Sequence, residues 1–166
     1  MKHLLASAAA VIAIALWFSQ PAASQDLASQ IVGVWKWTSS TNKEVETGKI
    51  NHPYGENPSG QIVYTKGGHV VFALAGDNRK TPASPFTDAD RIALFNTLSA
   101  ASGTYKVEGN TLTVTYTTSW NQTWTGVTQK RQIEIAGNKL TITSEPVKST
   151  QTGKDIIFVA TYVRVE

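Results

Sequence analysis

The chain has 166 residues, a formal charge of +3 and no cysteine, and 41% of its residues are hydrophobic. The absence of cysteine excludes both a disulfide scaffold and a lipid-anchored lipoprotein. The basic residues are few and scattered, so no nucleic-acid-binding footprint is visible. The length suits one domain, and the abundance of threonine favours β structure.

The first 24 residues predict a cleavable signal peptide. A short basic start (Lys2 and His3) precedes an apolar run from Leu4 to Phe18, and small residues occupy positions 22–24. The apolar run is short for a membrane span, and no second one follows; the alternative is an uncleaved anchor. We therefore expect a periplasmic or secreted protein without a stable membrane anchor, whose mature domain covers residues 25–166. Cleavage would remove Lys2 and leave a formal charge of +2.

The mature chain predicts eight short strands joined mostly by tight turns, after a lead-in at residues 27–32. Gly67-Gly68 is typical of a two-residue hairpin turn. Antiparallel strands with nothing to cover two open edges favour closure into an up-and-down barrel. The predicted strands cover residues 32–40, 61–66, 69–74, 103–107, 111–117, 125–135, 139–144 and 155–164.

One helix is predicted, at about residues 87–101, between strands three and four. Thr87 and Asp90 have the spacing of a capping box. Apolar residues then recur at helical spacing, at Ile92, Leu94, Phe95 and Leu98.

The two ends of the domain predict how the barrel closes. A glycine beside a large aromatic residue, as in Gly33-Val34-Trp35, allows close approach where a sheet bends. If the first and last strands are neighbours, the Arg164 guanidinium can lie over the Trp35 ring as a cation–π contact. Alternatively, Trp35 is only a core aromatic residue.

Several short motifs occur in order along nearly the whole mature chain. They are Gly33-Val34-Trp35, the segment from Tyr54-Gly55-Glu56 to Tyr64, Gly67-Gly68-His69, Gly103-Thr104-Tyr105, and the segment Ser119-Trp120-Asn121 with Trp124, Gly126, Gln129 and Arg131. This order resembles the bacterial and fungal lipocalin-like domain family. The resemblance implies a small closed barrel with a central cavity and implies little about chemistry. The expected fold is thus all-β, an eight-stranded antiparallel up-and-down lipocalin-like β-barrel.

Strand alternation predicts a charged group inside this cavity. On the strand 125–135, Gln129 and Arg131 share a face with the apolar residues Val127, Ile133 and Ile135. That face is expected to point inward, where an arginine needs a carboxylate, a carbonyl or an acidic ligand as its partner. We predict that Arg131 anchors an acidic ligand group, with Gln129 as a second donor. The alternatives are that this end of the strand protrudes from the barrel or that a bulge turns Arg131 to solvent.

Aromatic side chains complete the predicted site. Tyr64, Phe72, Tyr105 and Tyr116 have inward positions and would contact an apolar ligand, although each could be a core residue only. Trp120 and Trp124 flank a polar turn at the barrel mouth, as a gate or as rim packing, and Phe95 on the helix would cover the opening. The predicted ligand-binding residues are Tyr64, Phe72, Phe95, Tyr105, Tyr116, Trp120, Trp124, Gln129 and Arg131.

The sequence therefore predicts an exported lipocalin-like protein that binds a small, largely hydrophobic molecule, with or without an acidic group. No cofactor, metal site or catalytic residue is predicted, because the mature histidines are only His52 and His69 and no metal-ligand spacing occurs. One alternative is an isomerase or cyclase that acts on such a ligand through Glu56, His69 or Tyr64. The other is a filled barrel with a structural or interaction role.

Overall fold

The computed structural model describes residues 26–77, 79–149 and 152–166; the predicted signal peptide lies outside these residues. The long strands are β1 (Gly33–Glu44), β3 (Ser59–Tyr64), β4 (His69–Ala75), β5 (Leu98–Glu108), β6 (Thr111–Ser119), β7 (Thr128–Ala136), β8 (Lys139–Ser144) and β10 (Asp155–Arg164). Two-residue strands are β2 (Ile50–Asn51) and β9 (Val147–Lys148). The helices are α1 (Leu27–Gln30) and α2 (Asp88–Asn96), with a 3-10 turn at Gln122–Trp124.

The long strands form one closed antiparallel barrel. Their order is β1-β3-β4-β5-β6-β7-β8-β10, and β10 pairs back onto β1. The strands β2 and β9 extend the outer parts of β1 and β10 at the same end of the barrel. The predicted eight-stranded up-and-down barrel is confirmed, with α2 after the third long strand as expected.

The chain ends seal one end of the barrel, which we call the closed end. Trp35 is fully buried and pairs in register with Arg164. The Arg164 guanidinium carbon lies 4.1 Å from the Trp35 ring centroid, as predicted. The guanidinium also donates hydrogen bonds to the carbonyl oxygens of Val32, at 2.8 Å, and Gln30. Arg164 therefore joins the last strand to the segment that enters the first.

The opposite end, which we call the mouth, carries the longer connections. These are residues 45–58, 76–97, 120–127 and 145–154, whereas the closed end has short turns at 65–68, 109–110 and 137–138. The helix α2 borders the mouth and has no buried residue. Within the described part of the chain, no helix is long and apolar enough to cross a membrane.

Several predicted boundaries differ from the structure. β1 ends at Glu44 rather than at residue 40, β3 covers Ser59–Tyr64 rather than residues 61–66, and β5 begins at Leu98 rather than at residue 103. The helix ends at Asn96 rather than near residue 101, because residues 98–101 pair with β4 and alternate in burial. Its predicted start is right, since Thr87 and Asp90 form a reciprocal capping box. The sixth long strand, β7, begins at Thr128 rather than Thr125, because the preceding residues form the 3-10 turn and Gly126 then adopts a φ of +79°.

Candidate functional site

A cavity of about 480 Å³ opens from the barrel interior to the mouth. Inward-facing residues of the long strands form its walls, and the loops at 53–54, 120–127 and 145–149 form its rim. Its volume lies in the range of small-molecule sites, and most of its side chains are apolar or aromatic with a few polar groups among them.

Aromatic rings in contact form one side of this cavity, from the interior to the rim. Phe72 on β4 meets Tyr116 on β6 with ring centroids 6.0 Å apart, and Tyr116 stacks on Trp124 at 5.6 Å. Trp124 then meets Trp120 edge-on at 4.7 Å. We call these four residues the aromatic wall. It offers a continuous apolar surface to a ligand that enters from the mouth.

Arg131 places a positive charge in this cavity. The strand β7 is in regular register with both neighbours at this point, opposite Leu112 on one side and Ser144 on the other, so no bulge turns Arg131 outward. Its guanidinium carbon lies 6.0 Å from the Phe158 ring centroid, and its Nη2 donates to Oε1 of Gln129. None of the ion pairs in the described residues includes Arg131.

Gln129 lies beside Arg131 in the cavity. Its Oε1 accepts the hydrogen bond from Arg131, which leaves the amide N–H groups as donors, and its role as a second donor to the ligand stays a prediction. Both residues line the cavity. Their hydrogen bond holds one edge of the Arg131 guanidinium and fixes its direction.

Two buried tyrosines line the cavity as neutral groups. Burial is the main cause that raises the pKa of Tyr64 well above its usual value, and nearby tyrosines raise it further. Burial likewise raises the pKa of Tyr162. The positive charge of Arg131 acts in the opposite direction on both. Their hydroxyls therefore stay protonated at neutral pH and can serve as neutral hydrogen-bonding groups.

The structure also brings in residues that the sequence had not singled out. Trp37 and Asn42 on β1 line the cavity, and so does Tyr54, whose ring lies 5.0 Å from that of Trp37. The Nε1 of Trp37 and the Oδ1 of Asn42 are buried without a hydrogen-bond partner. A register shift between Trp37 and Ser39 changes which residues of β1 face inward. Strict alternation from Trp35 therefore could find Trp37 but not Asn42.

Seven of the nine predicted binding residues line the cavity, and Phe95 and Tyr105 do not. Tyr105 packs against Tyr64, and its hydroxyl donates to the carbonyl oxygen of Thr65 at 2.9 Å, towards the closed end. Phe95 is 47% exposed on α2, and its carbonyl oxygen accepts a hydrogen bond from Trp120 at 3.3 Å. The Phe95 ring also lies 6.1 Å from the Trp120 ring, so both side chains pack from outside against residues that line the cavity. The residues that line the cavity are Tyr64, Phe72, Tyr116, Trp120, Trp124, Gln129 and Arg131.

The carboxylate and the imidazole considered for an enzyme do not reach the cavity. The Glu56 side chain is 75% exposed and lies 3.6 Å from His52 on the same loop. His69 is exposed at the start of β4, near the closed end. Across residues 26–77, 79–149 and 152–166, no group of three or more histidines and carboxylates could hold a metal ion.

The closed barrel with a ligand-sized cavity open at its mouth defines the class of protein as a small lipocalin-like barrel. The chain belongs to the lipocalin-like domain family, whose model matches residues 32–165. No curated protein matches the chain. A lipocalin-like barrel suggests binding of small molecules in general.

Proposed function

We propose that this protein binds a small, largely apolar carboxylic acid in its barrel cavity. The observation that carries the proposal is the guanidinium of Arg131, which lies in a mainly apolar cavity without a carboxylate partner among the described residues. Arg131 is half-buried, and the cost of withdrawing a guanidinium from water rises with its burial unless a negative group compensates it. A ligand carboxylate supplies that group.

The position of Arg131 suits bidentate recognition of an acid. Gln129 occupies Nη2 from one side, and the Phe158 ring lies beside the guanidinium carbon. The guanidinium has five N–H donors, so others remain for a carboxylate. Paired N–H bonds to a carboxylate are among the stronger hydrogen bonds in proteins.

The rest of the cavity favours an apolar skeleton. The aromatic wall lies on β4, β6 and the loop that follows β6, and aliphatic residues such as Ile62, Val70 and Leu112 line the interior. The tyrosine hydroxyls remain neutral, so they neither repel a carboxylate nor neutralise it. A ligand with one charged end and an apolar body therefore matches the cavity better than a sugar or a nucleotide.

Binding of a fluorescent fatty-acid analogue tests this proposal. The dissociation constant is measured for the wild type, for Arg131→Met and for Lys36→Met, which removes an exposed positive charge on the outer face of β1. A charge-assisted contact is worth about 1.5–3 kcal/mol, so Arg131→Met should weaken binding about tenfold or more. Lys36→Met should bind like the wild type. The corresponding fatty alcohol should bind both variants and the wild type alike.

Equal affinity of the acid for the wild type and Arg131→Met would remove Arg131 from the site. Absence of binding for both the acid and the alcohol would refute the binding function itself.

We further propose that the protein acts after export to the periplasm or the medium. The basic start, the apolar run and the small residues of positions 1–24 support this proposal. Mass spectrometry of the protein recovered from outside the cytoplasm should give the mass of a chain that begins near Gln25. A full-length mass in the cytoplasmic fraction alone would contradict it.

A further inference from the structure

The inward side of β1 carries a row of polar atoms without partners. Three buried side-chain atoms of the described residues have no hydrogen-bond partner, and all three lie on this strand: Trp37 Nε1, Ser40 Oγ and Asn42 Oδ1. Buried polar atoms are nearly always hydrogen-bonded in native proteins, so three on one strand need an explanation. Trp37 and Asn42 also line the cavity, and we call these two residues the polar stripe.

The polar stripe lies across the cavity from apolar surface. Around the closed barrel, β6 is four strands from β1 in either direction, so β1 and β6 are opposite each other. The inward residues of β6 are Leu112, Val114 and Tyr116, the last of which belongs to the aromatic wall. The cavity thus has one polar and one apolar side.

Asn42 of the polar stripe lies in the same row of residues around the barrel as Arg131. Asn42 is opposite Phe158 on β10, the Phe158 amide donates to Ser144 Oγ on β8, and Ser144 is opposite Arg131 on β7. These residues form one row around the barrel, in which Asn42 and Arg131 are three strand spacings, about 14 Å, apart along the wall. Trp37 lies on the same strand as Asn42 but closer to the closed end.

The chemistry of the two atoms restricts what can satisfy them. An indole N–H only donates, and an amide oxygen only accepts. A hydroxyl can do both, so it can bond to either of these two atoms, whereas a ketone oxygen can pair only with the Trp37 N–H of the two. A hydrogen bond to a buried, unpaired polar atom contributes more binding free energy than one to a solvated atom, because the buried atom has already lost its bonds to water.

We propose that the polar stripe binds hydroxyl groups of the ligand, which is therefore a hydroxylated carboxylic acid with an otherwise apolar skeleton. This inference rests on the proposed function, in which Arg131 binds the carboxylate. A hydroxyl close to the carboxyl group reaches Asn42, which shares the row of Arg131, and a hydroxyl farther along the skeleton reaches Trp37. The Tyr54 ring packs edge-on against Trp37 from a loop, with ring centroids 5.0 Å apart. Because the indole N–H is buried, this binding requires neighbouring side chains such as Tyr54 to move when the ligand enters.

The test uses tetradecanoic acid, beta-hydroxytetradecanoic acid and a mid-chain hydroxytetradecanoic acid as probes. Their affinities are measured by calorimetry for the wild type, Asn42→Leu and Trp37→Phe. In the wild type, each hydroxyl should tighten binding about tenfold relative to the parent acid. Asn42→Leu should remove the gain of the beta-hydroxy acid, and Trp37→Phe should remove the gain of the mid-chain hydroxy acid. Each variant is thus the matched control for the other.

The outcomes separate this inference from the function on which it rests. If the parent acid binds in an Arg131-dependent way but neither hydroxyl tightens binding, the inference is wrong and the proposed function stands. A gain that survives both substitutions also overturns it. If no acid binds, both are wrong. The gain from each hydroxyl is measured within each variant, as the ratio of its affinities for the hydroxy acid and for the parent acid. A far-ultraviolet circular dichroism spectrum and a cooperative thermal transition like those of the wild type show that a variant is folded; should Trp37→Phe fail this control, Asn42→Leu with the beta-hydroxy acid decides alone.

Discussion

The contact between Arg164 and Trp35 predicts a large loss of stability when the guanidinium is removed. In Arg164→Ala, a cation–π contact with a separation of 4.1 Å disappears; such contacts are worth about 1 kcal/mol when partly buried. The carbonyl oxygens of Val32 and Gln30 also lose a charged donor, which costs about 2–3 kcal/mol together. Since these contributions are not additive, we expect Arg164→Ala to lower the free energy of unfolding by about 3 kcal/mol.

The free energy of unfolding in urea measures this loss, and thermal unfolding should show a midpoint lower by about 6–12 °C for a domain of this size. Arg164→Lys keeps the charge but lacks the planar fork, so it should recover less than half of the loss. Lys36→Ala, on the exposed face of β1, should be close to neutral. A loss below about 1 kcal/mol in Arg164→Ala, or full recovery by lysine, would refute the reasoning that this residue closes the barrel.

Three further predictions concern the closed end, the mouth and the cavity. Gly33→Ala should cost about 2 kcal/mol or more of unfolding free energy, because φ is +136° and a Cβ would lie 2.2 Å from the Glu166 carbonyl oxygen; a neutral result would contradict this geometry. Hydrogen bonds from Lys154 and Thr47 lower the pKa of Glu44 below its ordinary 4.5, so this stabilisation is complete above pH 4.5 and is lost as pH falls through the folded pKa. On acidification, the free energy of unfolding should therefore fall less in Lys154→Met than in the wild type. Parallel plots of this free energy against pH for the two proteins would refute the pairing. Saturation with tetradecanoic acid should change the tryptophan emission, because Trp37, Trp120 and Trp124 line the cavity; Trp124→Phe should reduce the change, and an unaltered spectrum would place the ligand elsewhere.

The closed barrel could be predicted because its signals are local or lie at the chain ends. Tight turns such as Gly67-Gly68 fix antiparallel neighbours, and a chain of short strands has open edges unless it closes. The pairing of Trp35 with Arg164 follows once the first and last strands are neighbours. The inward direction of Arg131 also followed from alternation, because β7 has no bulge near it.

The remaining features depend on pairings that local patterns do not contain. Leu98 continues the helical spacing that begins at Ile92, but pairing with β4 makes residues 98–101 part of a strand. The register shift in β1 moves the inward set from Trp37 to Ser40 and Asn42, so counting by twos fails after Trp37. Tyr54 enters the cavity from a loop, where no periodicity exists to indicate the direction of a side chain.

A crystal structure of the protein with tetradecanoic acid bound tests the proposed binding site most directly. We expect the carboxylate within hydrogen-bond distance of the Arg131 guanidinium and the hydrocarbon chain against the aromatic wall formed by Phe72, Tyr116, Trp120 and Trp124. A carboxylate bound away from Arg131, or a cavity that stays empty at saturating ligand, would contradict it.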